Sequence, residues 1–366
     1  MAESARVVLD ARGLQGADAQ RGIGSYSRGL ISGLLRAGWG PRLGLLLDGG
    51  LPFPELPAET GIVVYSVRRR YRGRLATWED AVALGSDLQR IRPRLYHALG
   101  LALPGRAPCP VVVTVHDLIP WAWREGAAAM RGERLRYRAA RRRLPRADRV
   151  IAVSEATARD AGRLAGVAAD RIAVIPEGVD PRFRRQPGAS GKKWGIERPY
   201  LVFVGALDAR KDPAGLLAAW RAAQAAGADC ELVLAGPASR QAPAAMEGAL
   251  RLGYLSTEEL AELLSAAACL LFPSRYEGFG LPVLEAMACG CPVAAYDNSS
   301  LPEVADGAAT LVADGDAVGL GRAAAAYVLD AELAKSSRSK GQGWAKRFTW
   351  DRAAEQTIEL YQPLLG

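Results

Sequence analysis

With 366 residues, 49% of them apolar and 23% charged, the chain has a globular composition and is too long for one ordinary core, which predicts two domains. No apolar run reaches the roughly 18 residues of a membrane-spanning helix, and Glu3, Arg6, Asp10 and Arg12 break up the start, so a signal-peptide core is excluded and a cytoplasmic protein is expected. The net charge of +8 hides a split: residues 1–185 hold 31 Arg, no Lys and 18 Asp or Glu, a formal +13, against −5 for the remainder, and such asymmetry points to an anionic partner for the first half.

In chain order, short apolar runs alternate with amphipathic stretches. Residues 6–10 read as a strand and Gly24–Ala37 as a helix spaced through Tyr26, Leu30, Leu34 and Leu35. Strands follow at Arg42–Leu47 and Ile62–Ser66, a helix from about Thr77 to Arg90, then strands at Leu95–His97 and Val111–Val115. Arg131–Leu144 is a very basic helix, and strands at Val150–Val153 and Ile172–Ile175 flank a helix that Ser154 can cap. Pro181–Trp194, PRFRRQPGASGKKW, reads as a linker. The rhythm then restarts with strands at Leu201–Val204, Leu232–Leu234, Leu270–Phe272, Val293–Ala295 and Thr310–Val312. Helices are expected at Pro213–Gln224, Thr257–Ala268, Leu281–Cys289, Val318–Val328 and Trp350–Leu364. This is an α/β pattern of two Rossmann-like, doubly wound domains, 1–185 and 195–345, with a tail at 346–366. The two are expected to face a central cleft, with ligands outside the carboxyl ends of the strands.

Four segments carry chemistry. In Phe272-Pro-Ser-Arg-Tyr-Glu-Gly-Phe-Gly-Leu-Pro-Val-Leu-Glu285, two glutamates, Glu277 and Glu285, bracket a Gly278-Phe279-Gly280 turn, and Leu281-Pro282 opens a helix. Amides at such a helix start favour an anion or a polar sugar, and Glu285, one turn inside, can accept two hydrogen bonds from a cis-diol. The spacing alone fits equally a loop with two solvated glutamates. In Val204-Gly-Ala-Leu-Asp-Ala-Arg-Lys-Asp, Gly205 ends a strand and Arg210-Lys211 precede a helix, which suits a diphosphate clamp or a solvated pair capping a turn. His116-Asp117 follows a buried strand, a typical site position in a doubly wound sheet. Arg21-Gly22-Ile-Gly24-Ser-Tyr26 follows the first strand and lacks the third glycine of a dinucleotide fingerprint.

Together, and in this order, these segments resemble retaining glycosyltransferase family 4, of the GT-B fold, in a branch close to bacterial mannosyltransferases and rhamnosyltransferases. The resemblance implies that Glu285 binds the nucleotide ribose, Glu277 faces the transferred sugar's hydroxyls, and the amides of Gly278, Phe279, Gly280 and Leu281 contact sugar and diphosphate. It makes Lys211 a diphosphate cation, with Arg210 standing in for an arginine that the family commonly has where Ala206 stands. It gives His116 a hydrogen bond to the donor sugar and brings the Gly22 and Gly24 amides toward the diphosphate. Tyr26 and Asp117 become acceptor-side candidates, and the backbone at Tyr254 and Leu255 lines the base pocket. Val153-Ser-Glu-Ala-Thr, Ile175-Pro-Glu-Gly-Val-Asp180 and the Phe348-Thr-Trp-Asp tail agree with it, the tail resembling a helix that crosses back onto the first domain.

The implied reaction moves a sugar, GDP-mannose being the first expectation, from a nucleotide sugar to an acceptor hydroxyl on a lipid-linked or cell-surface glycan precursor, without cofactor or metal. A small metabolite acceptor with a UDP- or dTDP-sugar, a nucleotide-sugar epimerase and a non-catalytic nucleotide-sugar-binding protein stay open. Two basic clusters, Arg68 to Arg74 and Arg131 to Arg149, the second placing Arg134, Arg138, Arg141 and Arg142 on one helix face, suit an anionic membrane surface or solvent. Nucleic acid is not expected, since no base-reading module is visible. His97 is expected to support the site and not to react. Asp314-Gly-Asp316 reads as a turn, and five cysteines without a CxxC pair read as thiols, not metal ligands.

Overall fold

The computed structural model describes residues 7–16, 19, 22–54, 60–68, 74–126, 128, 130–237, 246 and 248–366, without the side chains of 74–78, 81 and 136. Its contacts divide the chain into two units, Met1–Gly178 with Thr349–Gly366, and Val179–Phe348. The expected boundaries at 185 and 345 move accordingly, and Pro181–Trp194 is not a linker but part of the second unit. There Arg182 is held by Asp180 at 2.7 Å and Glu258 at 3.1 Å. With residues 179–185 moved to the second unit and 349–366 to the first, the formal charges become +9 for the first unit and −1 for the second.

The first unit runs β1 (Val7–Asp10), α1 (Gly22–Arg36), β2 (Leu43–Asp48), β3 (Val63–Val67), α2 (Arg74–Ile91), β4 (Leu95–Ala98), β5 (Val111–Val115), α3 (Ile119–Ala122), α4 (Arg131–Arg143), β6 (Arg149–Ala152), α5 (Glu155–Ala165) and β7 (Ile172–Val174). Among the described residues its strands form one parallel sheet in the order β3-β2-β1-β4-β5-β6-β7. Central strands such as β5, VVVTV, are buried at every position. That is why they read as continuous apolar runs and not as alternation. Ser154 caps α5 by accepting from the Thr157 amide, and Gly166 ends it in the left-handed region.

The second unit runs β8 (Tyr200–Val204), α6 (Pro213–Ala225), β9 (Glu231–Ala235), β10 (Leu250–Gly253), α7 (Thr257–Ala266), β11 (Cys269–Phe272), α8 (Leu281–Ala288), β12 (Val293–Asp297), α9 (Leu301–Ala305), β13 (Thr310–Ala313), α10 (Ala317–Leu329) and α11 (Ala331–Ala345). Its parallel sheet has the order β10-β9-β8-β11-β12-β13. Both sheets reverse their winding at one point, between β1 and β4 and between β8 and β11, and loops leaving the carboxyl ends there are where doubly wound folds hold ligands. β10 and α11 were not expected from the sequence. β10, LRLG, is a short edge strand, and α11 carries serines, glycines and lysines instead of a clean apolar stripe.

The last helix, α12 (Trp350–Leu365), belongs to the first unit and lies on α1. Glycine sets the approach: a Cβ on Gly29 would come 2.0 Å from the Trp350 ring, and one on Gly33 would come 2.4 Å from the Trp350 carbonyl oxygen. Among the described residues no helix is long and apolar enough to cross a membrane. All five cysteines are free thiols, and four of them are buried. Asp314-Gly-Asp316 is a turn: Asp314 accepts from Asn298 at 2.7 Å and Asp316 caps α10 through the Gly319 amide.

Candidate functional site

In the second unit the loops leaving β8 and β11 meet around one carboxylate. After β8 the chain passes Gly205 and makes a single turn, Ala209–Lys211, whose amides at Arg210 and Lys211 are accepted by the Asp208 side chain. Asp212 then caps α6 through the Gly215 amide at 2.9 Å. This local capping aims Arg210 and Lys211 across to the loop after β11. There Glu277 Oε1 accepts from Lys211 Nζ at 2.5 Å, from the Arg210 guanidinium at 2.7 Å and from the Ser274 hydroxyl. Arg210 also donates to the Tyr276 carbonyl at 2.9 Å, and the Lys211 ammonium lies 4.3 Å from the Phe272 ring centroid.

The electrostatics follow from burial. Desolvation pushes the Glu277 carboxyl up, but Arg210 and Lys211 beside it, with the hydroxyl of Ser274, hold it at about 2. For Lys211 the balance goes the other way: burial is the largest influence and, with the nearby Arg210, lowers the ammonium's pKa against the opposing pull of Glu277 and Asp208. Lys211 is thus a cation that depends on its carboxylate. Asp208 sits 4.0 Å from Arg210 and makes the four-residue cluster formally neutral. The sequence reading has Arg210 and Lys211 facing a diphosphate and Glu277 facing a sugar. The structure brings the two cations onto a single carboxylate oxygen of Glu277.

Gly278, Phe279 and Gly280 lead into α8. Gly280, at φ +112°, takes a conformation that a side chain would strain, and no side chain caps the helix start. Phe279 is buried, its ring edge-on to Phe348 at 6.1 Å, while Leu281 and Glu285 are half-buried. Tyr254 follows β10 with its ring exposed, and Leu255 is half-buried. Three residues that sequence reasoning did not single out shape this loop. Ser299 accepts from the Glu277 amide at 2.8 Å, Ser300 donates to the Phe279 carbonyl at 2.6 Å, and Asn298 donates to the Ser274 carbonyl at 2.9 Å. Their signal in the sequence was only an Asn-Ser-Ser turn after β12.

In the first unit His116 stands at the end of β5. Its Nε2 is 2.9 Å from the Leu99 carbonyl and its Nδ1 is 3.4 Å from Glu177 Oε1. Both neighbours are acceptors, an arrangement that favours a proton on each ring nitrogen. Burial opposes the charge, yet Glu177, Leu99 and Asp117 raise the imidazole pKa above its usual value. Glu177 is the residue the sequence reading passed over, although it lies in the Ile175-Pro-Glu-Gly segment. Asp117 accepts from the Ile119 amide at 3.1 Å. Gly22 and Gly24 form the first turn of α1 itself and not a loop before it, and Arg21 lies outside the described residues.

Tyr26 requires a correction. It is 1% exposed, its hydroxyl 3.0 Å from Thr114 Oγ1 and its ring edge-on to His116 at 4.7 Å, so it cannot meet an acceptor and instead supports the imidazole. Thr114 in turn is 2.8 Å from His97 Nε2, and His97 Nδ1 is 2.5 Å from the Tyr361 hydroxyl on α12. Desolvation drives the His97 pKa down to about 3, keeping it neutral. A second buried cluster, also unforeseen, closes the end of β1: Asp10 accepts twice from the Arg12 guanidinium, once from its amide, and from Tyr96 at 2.8 Å, and Arg12 reaches Asp80 at 2.6 Å. Among the described residues no group of three or more His, Cys, Asp and Glu could hold a metal ion.

Two family models match the chain: Glycosyltransferase Family 4 over residues 20–183 and Glycosyl transferases group 1 over residues 198–330. The chain is similar to O-antigen chain mannosyltransferase B of Escherichia coli, 31% identical over 298 residues, which are 76% of each protein. It is also similar to alpha-maltose-1-phosphate synthase of Mycolicibacterium smegmatis, 32% identical over 284 residues, covering 69% of this chain and 73% of that protein. Among solved structures, sucrose-phosphate synthase from Thermosynechococcus elongatus superposes with a TM-score of 0.78 over 98% of both chains at 22% identity, a likeness of fold.

Proposed function

The chain belongs to glycosyltransferase family 4 and is a glycosyltransferase of the GT-B fold, and on that premise we propose that it moves mannose from GDP-mannose, with retention of configuration and without a metal, to a hydroxyl of a lipid-linked or cell-surface glycan precursor. The observation that carries the reading is the convergence of Arg210 and Lys211 on Glu277 at the switch point of the second sheet. The mannosyl choice is supported by the similarity to the O-antigen mannosyltransferase.

In this reading the donor's diphosphate takes over the guanidinium of Arg210, which is the more accessible cation, and shares Lys211 with Glu277. The released carboxylate oxygens of Glu277 accept from the sugar's hydroxyls, Glu285 accepts from the ribose diol, and the amides of Gly278–Leu281 donate to sugar and phosphate. Gly205 lets the backbone pass close to the diphosphate, and Tyr254 and Leu255 flank the base. His116 turns a ring N–H from Glu177 to the transferred sugar, with Gly22, Gly24 and Asp117 as further contacts of the first unit. The acceptor oxygen forms the new bond to the anomeric carbon as the carbon–phosphate oxygen bond breaks on the same face. The leaving diphosphate keeps the electron pair and takes the acceptor's proton. Arg210 and Lys211 stabilise charge that grows as that bond breaks, the kind of preorganised stabilisation worth about 3–4 kcal/mol per donor.

A panel of nucleotide sugars tests this. At a hundredfold excess over its Kd a bound donor stabilises by about 2.7 kcal/mol, so GDP-mannose should raise the melting temperature by several degrees and yield GDP slowly in the absence of acceptor. A chain that neither shifts nor releases a nucleoside diphosphate with any donor would overturn the reading. A second reading, a small phosphorylated sugar as acceptor, is favoured by the similarity to alpha-maltose-1-phosphate synthase. Faster GDP release with sugar phosphates than with lipid-linked glycans would select it.

A further inference from the structure

Helix α4 is the most basic element of the first unit, and five of its arginines divide into two groups. The expected face of Arg134, Arg138, Arg141 and Arg142 is not the one that forms. Arg134 turns inward to donate to the Pro120 carbonyl. Arg141 donates to the Leu164 carbonyl, with its guanidinium 5.2 Å from the Trp121 ring centroid. What faces outward is Arg131, Leu135, Arg138 and Arg142. These are positions i, i+4, i+7 and i+11, a single stripe at about 3.6 residues per turn. Among the described residues no hydrogen bond or ion pair engages the three arginines. Leu135, in the middle of the stripe, is 55% exposed. Helix α2, packed against α4, presents Val82 at 61% exposure. Of the other cluster, Arg68 is exposed, residues 69–73 lie outside the described residues, and the Arg74 side chain is not described.

We propose that the Arg131–Leu135–Arg138–Arg142 stripe is a docking face for a bilayer surface rich in anionic phospholipid. The proposal rests on the lipid-linked acceptor reading for its purpose, since it names the surface in which such an acceptor lies. Charge complementarity selects an anionic partner: three unpaired guanidinium groups lie in one line on a unit of formal charge +9. The aliphatic residues select a bilayer among polyanions. A protruding leucine flanked by arginines gains free energy by entering the acyl boundary while the guanidinium groups stay at the headgroups. On a nucleic acid the same leucine would gain nothing, and the stripe holds no aromatic ring for a base to stack on.

Co-flotation of the full-length protein with vesicles tests it. With phosphatidylglycerol vesicles at low salt the protein should float. With phosphatidylcholine vesicles, or in about 0.5 M salt, it should stay behind, because screening shortens the reach of the charges to a few ångströms. Replacing the three arginines together (Arg131→Ala, Arg138→Ala, Arg142→Ala) should lower the partition coefficient roughly a hundredfold. The matching triple lysine variant should retain binding, because a headgroup layer reads charge and not the guanidinium fork. Leu135→Ser should cost about tenfold by itself. Equal flotation with neutral vesicles, an unaffected triple alanine variant, or an unaffected Leu135→Ser would each overturn the proposal. So would binding to poly(U) RNA that exceeds binding to anionic vesicles and is insensitive to Leu135→Ser. Nucleotide release from donor in lipid-free buffer, measured on the same preparations, reports the donor site alone. A failed docking face and a failed enzymatic reading are therefore distinguishable.

Discussion

Replacing Glu277 with Gln keeps the shape of the side chain and removes the charge that holds two cations. The residue is 8% exposed and its carboxyl sits at about 2 against an ordinary 4.5, a difference that corresponds to about 3 kcal/mol of stability at neutral pH. Because the folded value lies below the unfolded one, this contribution is complete above pH 4.5 and drains away as the pH falls toward 2. Breaking a buried pair from one side costs about 3–5 kcal/mol, since the remaining charge is left without compensation. Lys211 is such a charge: burial already disfavours its ammonium even with Glu277 in place. Arg210, with a side chain 18% exposed, keeps some water, so the lower end of that range applies. For a unit of this size the loss is a drop of about 10 °C in the melting temperature of the second unit. Thermal and urea unfolding from pH 3 to pH 9 would measure it. The gap between wild type and variant should narrow at acid pH, where wild type loses the same term. It should narrow again as the pH rises, because Lys211 in the variant sheds its proton and ceases to be a buried cation. A Glu277→Gln protein melting within about a degree of wild type at pH 7 would show that the carboxylate is not holding the two cations in solution.

Other consequences follow from the same contacts. Lys211→Ala should lower transfer by about a hundredfold or more while the fold survives, because Arg210 and Ser274 still satisfy Glu277; turnover near wild type would remove Lys211 from the chemistry. The chain has only two histidines, so proton NMR should show one imidazole, His116, titrating above its usual value and a second, His97, neutral down to about 3. Glu177→Gln should bring the His116 titration down without moving His97. With His116 raised in the fold, the stability its ion pair contributes is present below pH 6.5 and is lost as the pH rises through the folded value; an unmoved titration in Glu177→Gln would refute the pairing. Gly33→Ala should destabilise the first unit by about 1–3 kcal/mol or more, because the obstacle to the new Cβ is the Trp350 carbonyl and not a side chain that can swing away; unchanged urea unfolding would show that α12 is not held there.

Much of the architecture was written locally. The β-rich apolar runs of β5 and β8 and the caps Ser154 and Asp212 act within a few residues of themselves. Alternation of such elements therefore announced two doubly wound units before any contact was known. The same holds for the loops at the carboxyl ends of β8 and β11, because Gly205, Arg210-Lys211 and the Glu277-to-Glu285 segment are contiguous patterns. What lay beyond local reach was partnership. The sequence separates Lys211 from Glu277 by 66 positions and His97 from Tyr361 by 264. No periodicity tells which carboxylate neutralises which cation, or that Tyr26 is spent on Thr114. Helix spacing grouped Arg134 and Arg141 with Arg138, but the carbonyls of Pro120 and Leu164, supplied by other elements, pull those two inward and leave Leu135 in the outward row. The charge split shows the division of labour. Counting residues revealed that basic charge is concentrated early in the chain. Where the unit ends, at Gly178 and with α12 added, was decided by contacts made over hundreds of positions, and they reduce +13 to +9. Hydrophobic periodicity and capping are short-range in sequence, whereas burial, pairing and pKa depend on which surfaces meet, and only the folded chain brings those together.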